Sequence, residues 1–389
     1  MLIQLKTIIR DVATKYIFCT KFWRKLFYTP IGTCTVTDLQ KNSVNIWHQN
    51  QEVLDKNRIL PLSIDQKVHW KFNTFKSLSA KKQFVIIAQN WFVWGNQGCV
   101  ITDKGYVLSE VSKEYDNLSH SVFKQYKLII PKKIKGITAV LAASGASVFY
   151  HWMVDILPRI QLLKDSGHFD QIDKFILNYQ GLTFQKEALK KLGIPIEKLI
   201  ICNGHWDFHY EFETLIIPSF VSPLNVVSVY TINFLQQTFL KSVKKLSSND
   251  SKLYIKRING RRILNETEIE NFLLSIGFRS ILLENYTIEE QALLFQNSNY
   301  IIGPHGAGFT NLVFCKSGTT VIDIFSPLWV NPCYWTIANE LNLDYRYIIG
   351  EGNRPNEGTD LKGKGENILL NLDKLKELMY LPPLLLEEN

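Results

Sequence analysis

Several hallmarks of common protein classes are missing from this 389-residue sequence. It has no apolar run of about 18 residues, which a membrane span needs, and no charged start followed by the apolar segment of a secretory signal. Its six cysteines include no Cys-x-x-Cys pair, which argues against a zinc site or a disulfide scaffold and favours a reducing compartment. No nucleic-acid-binding motif is present. We therefore expect a globular protein of the cytoplasm.

The sequence does contain enough apolar material for two domains. Apolar residues make up 46% of the chain, and a chain of this length can bury two cores of ordinary size. The formal charge of +8 comes from 44 basic and 36 acidic residues. This moderate excess suits an anionic ligand or an anionic membrane, and nucleic acid ranks low because no motif for it is found.

The first 29 residues mix basic and large apolar side chains. Six of them are Lys or Arg, and Asp11 is the only acid. One interpretation is a basic amphipathic leader that makes peripheral contact with the inner face of a membrane. The other is a solvated leader helix, and the sequence favours neither.

Residues 30–240 are predicted to form an N-terminal domain. From Phe84 onward, short strands separated by turn sequences predict a small antiparallel region, with a strand at Lys127–Pro131 near its end. A helix is predicted near Val148–Lys164, and another at Thr183–Leu192. From there on strands and helices alternate.

The C-terminal domain is predicted at residues 253–350, after a polar linker at 241–252 and before a tail with a helix at 351–389. Its strands and helices alternate cleanly, which predicts a parallel sheet with helices on both faces. Two helices are predicted to open with capping boxes, Asn265-x-x-Glu268 and Thr287-x-x-Glu290. The fold class is therefore α/β.

The most informative stretch reads Ile-Ile-Gly-Pro-His-Gly-Ala-Gly-Phe-Thr-Asn and covers residues 301–311. It predicts a buried strand, a glycine-rich turn and the start of a helix. Small residues admit a ligand close to the backbone, and the free N–H groups of a helix start attract anions such as a diphosphate. The alternative is a tight turn with no ligand. The candidate ligand-binding residues are His305, Gly306, Ala307, Gly308, Thr310 and Asn311.

A second candidate is an apolar helix that carries His151, Asp155 and Arg159. At this spacing the three side chains share one helix face. Pro158 disfavours helical geometry at Leu157, so a kink or break is expected there, which moves Arg159 off that line. A mostly buried helix rarely carries a carboxylate without a partner or a function, whereas the alternative is a polar stripe facing solvent.

Basic and acidic residues also stand at strands of the predicted C-terminal sheet. Four basic residues, among them Arg257 and Arg262, come at or after the end of the strand Leu253–Lys256, where they would meet ligand phosphates. A solvated basic loop is the alternative. Asp323 lies inside an apolar strand, where a buried carboxylate needs donors; ribose or sugar hydroxyls, or a local partner, would supply them.

No metal site or other cofactor is predicted. The acidic and imidazole side chains of His205, Asp207, His209, Glu211 and Glu213 alternate with aromatic ones, which predicts the polar outer face of an amphipathic strand. An Asp-x-Asp motif is also missing.

Three sequence blocks together resemble the family 61 glycosyltransferases, which include bacterial capsular-polysaccharide biosynthesis proteins and eukaryotic xylosyl- and N-acetylglucosaminyltransferases. The blocks are His-Trp-x-x-Asp-x-Leu-Pro-Arg at 151–159, the Arg, Arg, Asn and Gly-Phe pattern of 257–278, and Gly-x-His-Gly-Ala-Gly-x-Thr-Asn-x-x-Phe at 303–314 followed by Asp323. They cover about residues 145–330.

This resemblance implies a GT-B fold of two facing Rossmann-like domains and an inverting mechanism without a bound metal. It implies an N-terminal domain for a glycan or lipid-linked glycan acceptor and a C-terminal domain for a nucleotide sugar, with a uridine diphosphate sugar expected. The expected role is in the synthesis of capsular or other surface polysaccharide. The alternatives are a protein O-glycosyltransferase and a non-catalytic subunit that binds carbohydrate or nucleotide.

The resemblance also implies roles for the candidate residues. Asp155 is the expected catalytic base, with His151 as its orienter or as the alternative base. The expected donor-binding residues are Arg257, Arg262, His305, Gly306, Ala307, Gly308, Thr310, Asn311 and Asp323.

Overall fold

The computed structural model describes residues 23, 26–41, 44–49, 56–78, 82–114, 120–203, 207–240, 252–359 and 365–383. Most of the leader at 1–29 and nearly all of the linker at 241–252 lie outside the described residues. The described residues fall into two compact units. The N-terminal unit lies within 1–51 and 82–221, and the C-terminal unit lies within 52–81 and 222–389. The division near residue 221 thus differs from the boundary at 241–252 expected from composition.

The described strands are β1 (Gly32–Cys34), β2 (Asn45–His48), β3 (Lys56–Asn57), β4 (Ser77–Leu78), β5 (Phe84–Trp94), β6 (Cys99–Ile101), β7 (Tyr106–Leu108), β8 (Lys132–Val140), β9 (Lys174–Leu177), β10 (Leu199–Ile201), β11 (His209–Pro218), β12 (Lys252–Ile255), β13 (Arg279–Ile281), β14 (Tyr300–Pro304), β15 (Thr320–Phe325) and β16 (Asp344–Ile349).

The described α-helices are α1 (Val36–Gln40), α2 (Trp70–Thr74), α3 (Phe149–His151), α4 (Leu157–Asp165), α5 (Thr183–Leu192), α6 (Val229–Phe239), α7 (Glu266–Ser275), α8 (Ile288–Asn297), α9 (Cys333–Glu340) and α10 (Leu372–Tyr380). A π-helical turn, Trp152–Ile156, joins α3 to α4, and 3₁₀ helices occur at Ser121–Lys124, Phe169–Gln171, Ile196–Lys198, Leu283–Asn285 and Ala307–Phe314. Within the described part of the chain, no helix has the length and apolar character needed to cross a membrane.

The N-terminal unit is built on one mixed sheet. Its described strands run in the order β1-β7-β6-β5-β11-β8-β9-β10, and β2 also pairs with β5. The long strand β11 is antiparallel to β5 and parallel to β8. The antiparallel strands are therefore continuous with the parallel ones in one sheet. The small antiparallel region predicted from the sequence is not separate from them. The segment Lys127–Pro131 is not a strand, which corrects a second prediction.

The apolar face of β11 changes phase at a bulge. Phe208 and Phe212 pack in the core of the N-terminal unit, and after a register shift between Phe212 and Thr214 the core positions become Leu215 and Ile217. The extra residue lies in β8, since Phe212 pairs with Ile134 and Thr214 pairs with Ile137. The core positions of β11 thus change from even to odd numbers across this irregularity, and both alternating patterns serve one core.

The C-terminal unit contains a parallel sheet with the strand order β13-β12-β14-β15-β16. Tyr254, Ile302 and Ile322 face one core together with apolar residues of α7 and α10. The alternate residues Leu253 and Ile301 are equally buried, so both faces of the sheet are covered. Because the strands are parallel, the loops after β12, β14 and β15 leave the sheet at the same edge, where ligands of such sheets bind.

Candidate functional site

The helix that carries His151 and Asp155 changes geometry at Pro158. Pro158 has no N–H to bond one turn back, and the π-helical turn before it, in which Leu157 N–H donates to Trp152 O, accommodates this loss. Leu157 keeps helical dihedral angles of −60° and −41°. The predicted break is confirmed, since the α-helix is interrupted by the π-helical turn Trp152–Ile156 and resumes at Leu157. Single π turns within α-helices are frequent at functional sites.

His151 and Asp155 form a hydrogen-bonded pair. His151 Nδ1 lies 2.7 Å from Asp155 Oδ2, and the two side chains are 23% and 12% exposed. Behind the ring, Gly145 has a φ of +78° and approaches so closely that a Cβ there would lie 2.5 Å from His151 Cδ2. The pair is partly buried and held on two sides, which does not fit a polar stripe in solvent.

Arg159 does not share the face of that pair. Its guanidinium is 1% exposed and donates to the carbonyl oxygens of Val140, Leu141 and Pro218 at 2.9 to 3.2 Å. Its charge lies 4.8 Å from the centre of the Phe220 ring. Arg159 therefore ties its helix to the ends of two strands and has a structural role.

The glycine-rich turn follows β14 at the carboxyl edge of the C-terminal sheet. It leads into a 3₁₀ helix that begins at Ala307, where an α-helix was expected from Phe309. A Cβ at Gly306 would collide with Arg257 Nη1, and a Cβ at Gly308 would lie 2.5 Å from Leu283 Cδ1. The small residues are needed because the protein's own side chains, above all an arginine, pack directly against the turn.

His305 is fixed by a carboxylate beneath the turn. His305 Nδ1 lies 2.8 Å from Asp323 Oδ2, and the Tyr345 hydroxyl donates to the same oxygen at 2.6 Å. Asp323 is fully buried, and its Oδ1 has no hydrogen-bond partner within the described residues. The protein thus supplies donors to Oδ2, and through it this carboxylate orients His305.

Aromatic rings enclose His305. Its ring stacks on Phe325 at 4.7 Å, and Trp329 and Tyr334 lie at 5.1 and 4.7 Å. Burial is the strongest influence and lowers the pKa of His305, although Asp323 acts to raise it. The ring is therefore neutral near pH 7.

Arg257 is held against the glycine-rich turn. Its Nε donates to Gly260 O at 2.8 Å and its Nη2 to Asn259 O at 3.2 Å. Burial lowers the pKa of Arg257, but a guanidinium stays charged at neutral pH. These bonds place a preorganised positive charge at Gly306.

Arg261, and not Arg262, shares this environment. The Arg261 guanidinium lies 4.8 Å from the centre of the Trp329 ring, and the charges of Arg257 and of Asp323 act on its pKa, which burial lowers. The side chain of Arg262 is exposed, and the backbone N–H of Arg262 donates to Asn367 Oδ1 at 3.0 Å. Arg261 is one of the four basic residues at or after the end of β12. Nothing in the local sequence distinguishes it from its neighbour Arg262.

Thr310 and Asn311 are fully buried behind the turn. Asn311 Nδ2 donates to Gln291 Oε1 at 2.7 Å and to Gly308 O at 3.0 Å. The amide therefore braces the turn from within. Neither side chain is exposed to a ligand in this structure.

The basic loop after β12 is paired with residues 365–370 of the tail. Ile368 N–H donates to Arg262 O at 2.8 Å, and Arg261 N–H donates to Gly365 O at 3.2 Å. The tail thus positions the arginine-bearing backbone. No local sequence pattern links the basic loop to residues 365–370, because the two segments are about a hundred residues apart.

Asn265 also belongs to this pairing. Its Oδ1 accepts from Leu370 N–H at 3.1 Å and its Nδ2 donates to Leu370 O at 2.8 Å. The predicted capping box at Asn265 is therefore wrong, since the side chain makes no cap hydrogen bond and bonds the Glu268 carboxylate instead. The second predicted box, Thr287 with Glu290, is confirmed.

The acidic and imidazole cluster of β11 forms no metal centre among the described residues, and no group of three or more potential ligands occurs elsewhere in them. His205 lies outside the described part. His209 is 1% exposed and its Nδ1 lies 2.7 Å from Ile129 O. The sequence predicted that His209 lies on the solvent-facing side of an amphipathic strand. This prediction is wrong, because the loop that contains Ile129 covers the His209 side chain.

Comparison with known families supports the same two regions. Residues 149–322 match the family described as Glycosyltransferase 61. This part of the chain is similar to the family 61 glycosyltransferases. This match confirms the resemblance found in the sequence, and it runs from the helix of His151 and Asp155 to β15, ending one residue before Asp323.

Two plant proteins are similar to parts of this chain. Beta-1,2-xylosyltransferase RCN11 of Oryza sativa subsp. japonica is 32% identical over 88 residues, 23% of this chain and 16% of that protein. A beta-1,2-xylosyltransferase of Arabidopsis thaliana is 29% identical over 97 residues, 22% of this chain and 18% of that protein. The chain matches less than a fifth of the length of either relative.

The stability of the protein is expected to fall as the pH drops below about 6.5. Burial lowers the pKa of His120, His209 and His305 below the ordinary value of 6.5. Below pH 6.5 these histidines take up protons in the unfolded chain but stay neutral in the folded chain. The free energy of unfolding therefore decreases as the pH falls from 6.5 toward the lower pKa values of the folded state. Urea unfolding at about pH 7.5 and about pH 5.5 measures this slope.

The variant His209→Asn tests the contribution of His209 to this slope. Its amide nitrogen can take the place of Nδ1 as donor to Ile129 O, but it has no proton to gain, so the slope should become smaller. A stability that is constant or rises toward pH 5.5 would contradict the prediction.

Proposed function

We propose that this family 61 protein is an inverting, metal-independent glycosyltransferase with a GT-B architecture. It transfers a sugar from a nucleotide donor, a uridine diphosphate sugar, to a glycan or lipid-linked glycan acceptor in the synthesis of capsular or other surface polysaccharide. The observation that carries the proposal is the site at the carboxyl edge of the C-terminal sheet, where Arg257 and the Asp323-bound His305 converge on a glycine-rich turn.

The donor diphosphate binds at this turn. Its negative charge grows as the bond to the sugar breaks, and a preorganised cation stabilises that charge without reorganisation. Arg257 and Arg261 supply the cations. His305 holds the proton of Nδ1 toward Asp323, so its Nε2 is the ring atom that meets a phosphate oxygen, and the anion raises the pKa of the ring when it binds.

The acceptor hydroxyl is activated by the His151–Asp155 pair. As the acceptor oxygen bonds to the anomeric carbon, the bond to the diphosphate breaks, and the hydroxyl proton passes to the base. Asp155 is the proposed base and His151 orients it. If His151 is the base instead, it acts through Nε2, because the carboxylate engages Nδ1.

Turnover of a panel of nucleotide sugars tests the function. The purified chain is incubated with UDP sugars, UDP-xylose included because both similar plant proteins are named xylosyltransferases, and released nucleotide is measured with and without glycan acceptors. We expect one donor to be consumed and EDTA to leave the rate unchanged. Binding of UDP without turnover of any donor would instead indicate a non-catalytic binding subunit, and transfer only to a protein would indicate a protein O-glycosyltransferase.

Substitution of the arginines tests the donor site. Arg257→Ala and Arg261→Ala are each expected to raise the Kd of UDP about tenfold or more, because a hydrogen bond to a charged group contributes about 1.5 to 3 kcal/mol. Arg262→Ala should have a smaller effect, since that side chain is exposed. Titration calorimetry measures each Kd.

Arg354→Ala is the matched control. Arg354 lies in the same unit and forms an ion pair with Asp65 at 2.8 Å, so its loss should leave the Kd unchanged. An unchanged Kd in Arg257→Ala would remove that residue from the donor site.

A further inference from the structure

A basic surface with exposed apolar side chains lies in the N-terminal unit, on residues 124–135. The segment reads Lys-Gln-Tyr-Lys-Leu-Ile-Ile-Pro-Lys-Lys-Ile-Lys. Ile130 is 76% exposed, Ile129 44% and Tyr126 55%. Adjacent large apolar side chains with this exposure mark an interaction surface more often than a surface that faces only water.

A second segment extends this surface. Leu26 and Tyr28 are 58% and 40% exposed. The two segments are joined, because Trp23 Nε1 donates to Tyr126 O at 3.0 Å and Leu128 N–H donates to Phe27 O at 2.9 Å. The exposed side chains therefore stand on a paired backbone.

The loop is also anchored to the main sheet. His209 on β11 bonds Ile129 O at 2.7 Å, and its ring contacts that of Tyr28. The exposed residues 26–28 and 124–135 are thus one folded surface, which we call the basic apolar surface.

The charge of the basic apolar surface has one sign. Five lysines lie in residues 124–135, and the sequence has no acid between Asp116 and Asp155 or between Asp11 and Asp38. Facing acids come from β11, where Glu211 pairs with Lys133 at 3.1 Å and Glu213 accepts from a backbone N–H. In the sequence, Lys124 and Lys127 precede the exposed isoleucines, and Lys132 and Lys135 follow them.

We propose that the basic apolar surface binds a membrane whose headgroups are anionic. The isoleucines enter the boundary between headgroups and acyl chains, and the lysines bind lipid phosphates around them. A nucleic acid or an acidic glycan would use the lysines alone and would leave the isoleucines in water, so a membrane is the partner that uses both. This binding is independent of transferase activity.

Flotation with lipid vesicles tests the proposal. The full chain is mixed with vesicles of equal parts phosphatidylcholine and phosphatidylglycerol, or with pure phosphatidylcholine, and we expect binding to the anionic vesicles only. Lys127→Gln with Lys132→Gln should lower the partition coefficient about 25-fold, since each lysine near an anionic surface contributes about fivefold. Ile129→Ser with Ile130→Ser should lower it about tenfold.

The control is Lys190→Gln with Ile196→Ser, which removes the same kinds of side chain from an exposed part of the same unit and should bind as the parent does. Equal circular dichroism spectra check that all variants fold. Failure of the parent to bind anionic vesicles would overturn the proposal. So would parent-like binding by both variants, which would assign lipid contact to residues 1–22 alone. Binding to heparin or RNA that only the lysine variant loses, with vesicle binding unaffected, would also overturn it.

Discussion

Asp155→Asn is expected to lower the rate of sugar transfer about 10³-fold while leaving the Kd of UDP unchanged. A positioned base contributes about 10² to 10⁴ in rate, and an amide cannot accept the proton that the acceptor hydroxyl loses. Asparagine retains the size of the side chain and an oxygen toward His151 Nδ1 at 2.7 Å. The pair should therefore keep its place, and only the chemistry should fail.

Initial rates with saturating donor and acceptor, and calorimetric titration with UDP, measure the two quantities. Asp165→Asn is the matched control, because Asp165 ends the same helix in an exposed position, and it should transfer at the parent rate. Transfer by Asp155→Asn within about tenfold of the parent would exclude Asp155 as the base.

Arg159→Met should lower the free energy of unfolding by about 3 kcal/mol or more. The guanidinium is buried and donates to carbonyl oxygens of Val140, Leu141 and Pro218. Methionine fills a similar length of the cavity but leaves these buried acceptors without their donor, and each such loss is costly. Chemical denaturation followed by tryptophan fluorescence measures the change.

Lys164→Met makes the same replacement at an exposed position of α4 and should change the stability by no more than about 0.5 kcal/mol. A loss below about 1 kcal/mol in Arg159→Met would show that the carbonyl oxygens find other donors and that Arg159 does not tie the helix to the sheet.

Local sequence patterns anticipated much of the fold. Helix α5 has the predicted bounds, and α8 opens with the predicted capping box, because the apolar spacing and the end signals of each helix agree with each other. The glycine-rich turn after β14 could also be foreseen, since an apolar run that ends in small residues has few other solutions. The antiparallel strands were foreseen as well, but not their continuity with the parallel part of the same sheet, which depends on pairing between distant segments.

At the site, residue types and spacing alone indicated His151 with Asp155, and His305 with its glycine-rich turn, because a four-residue spacing on a helix and a turn after a buried strand are local properties of the chain. Folding decided which groups those residues meet. It brings Asp323 under His305, Arg257 and Arg261 to the turn, and the tail to the basic loop, and it turns Arg159 inward through a π-helical turn. These outcomes depend on contacts between residues far apart in sequence and on the burial that results, and neither is encoded in any short stretch of the chain.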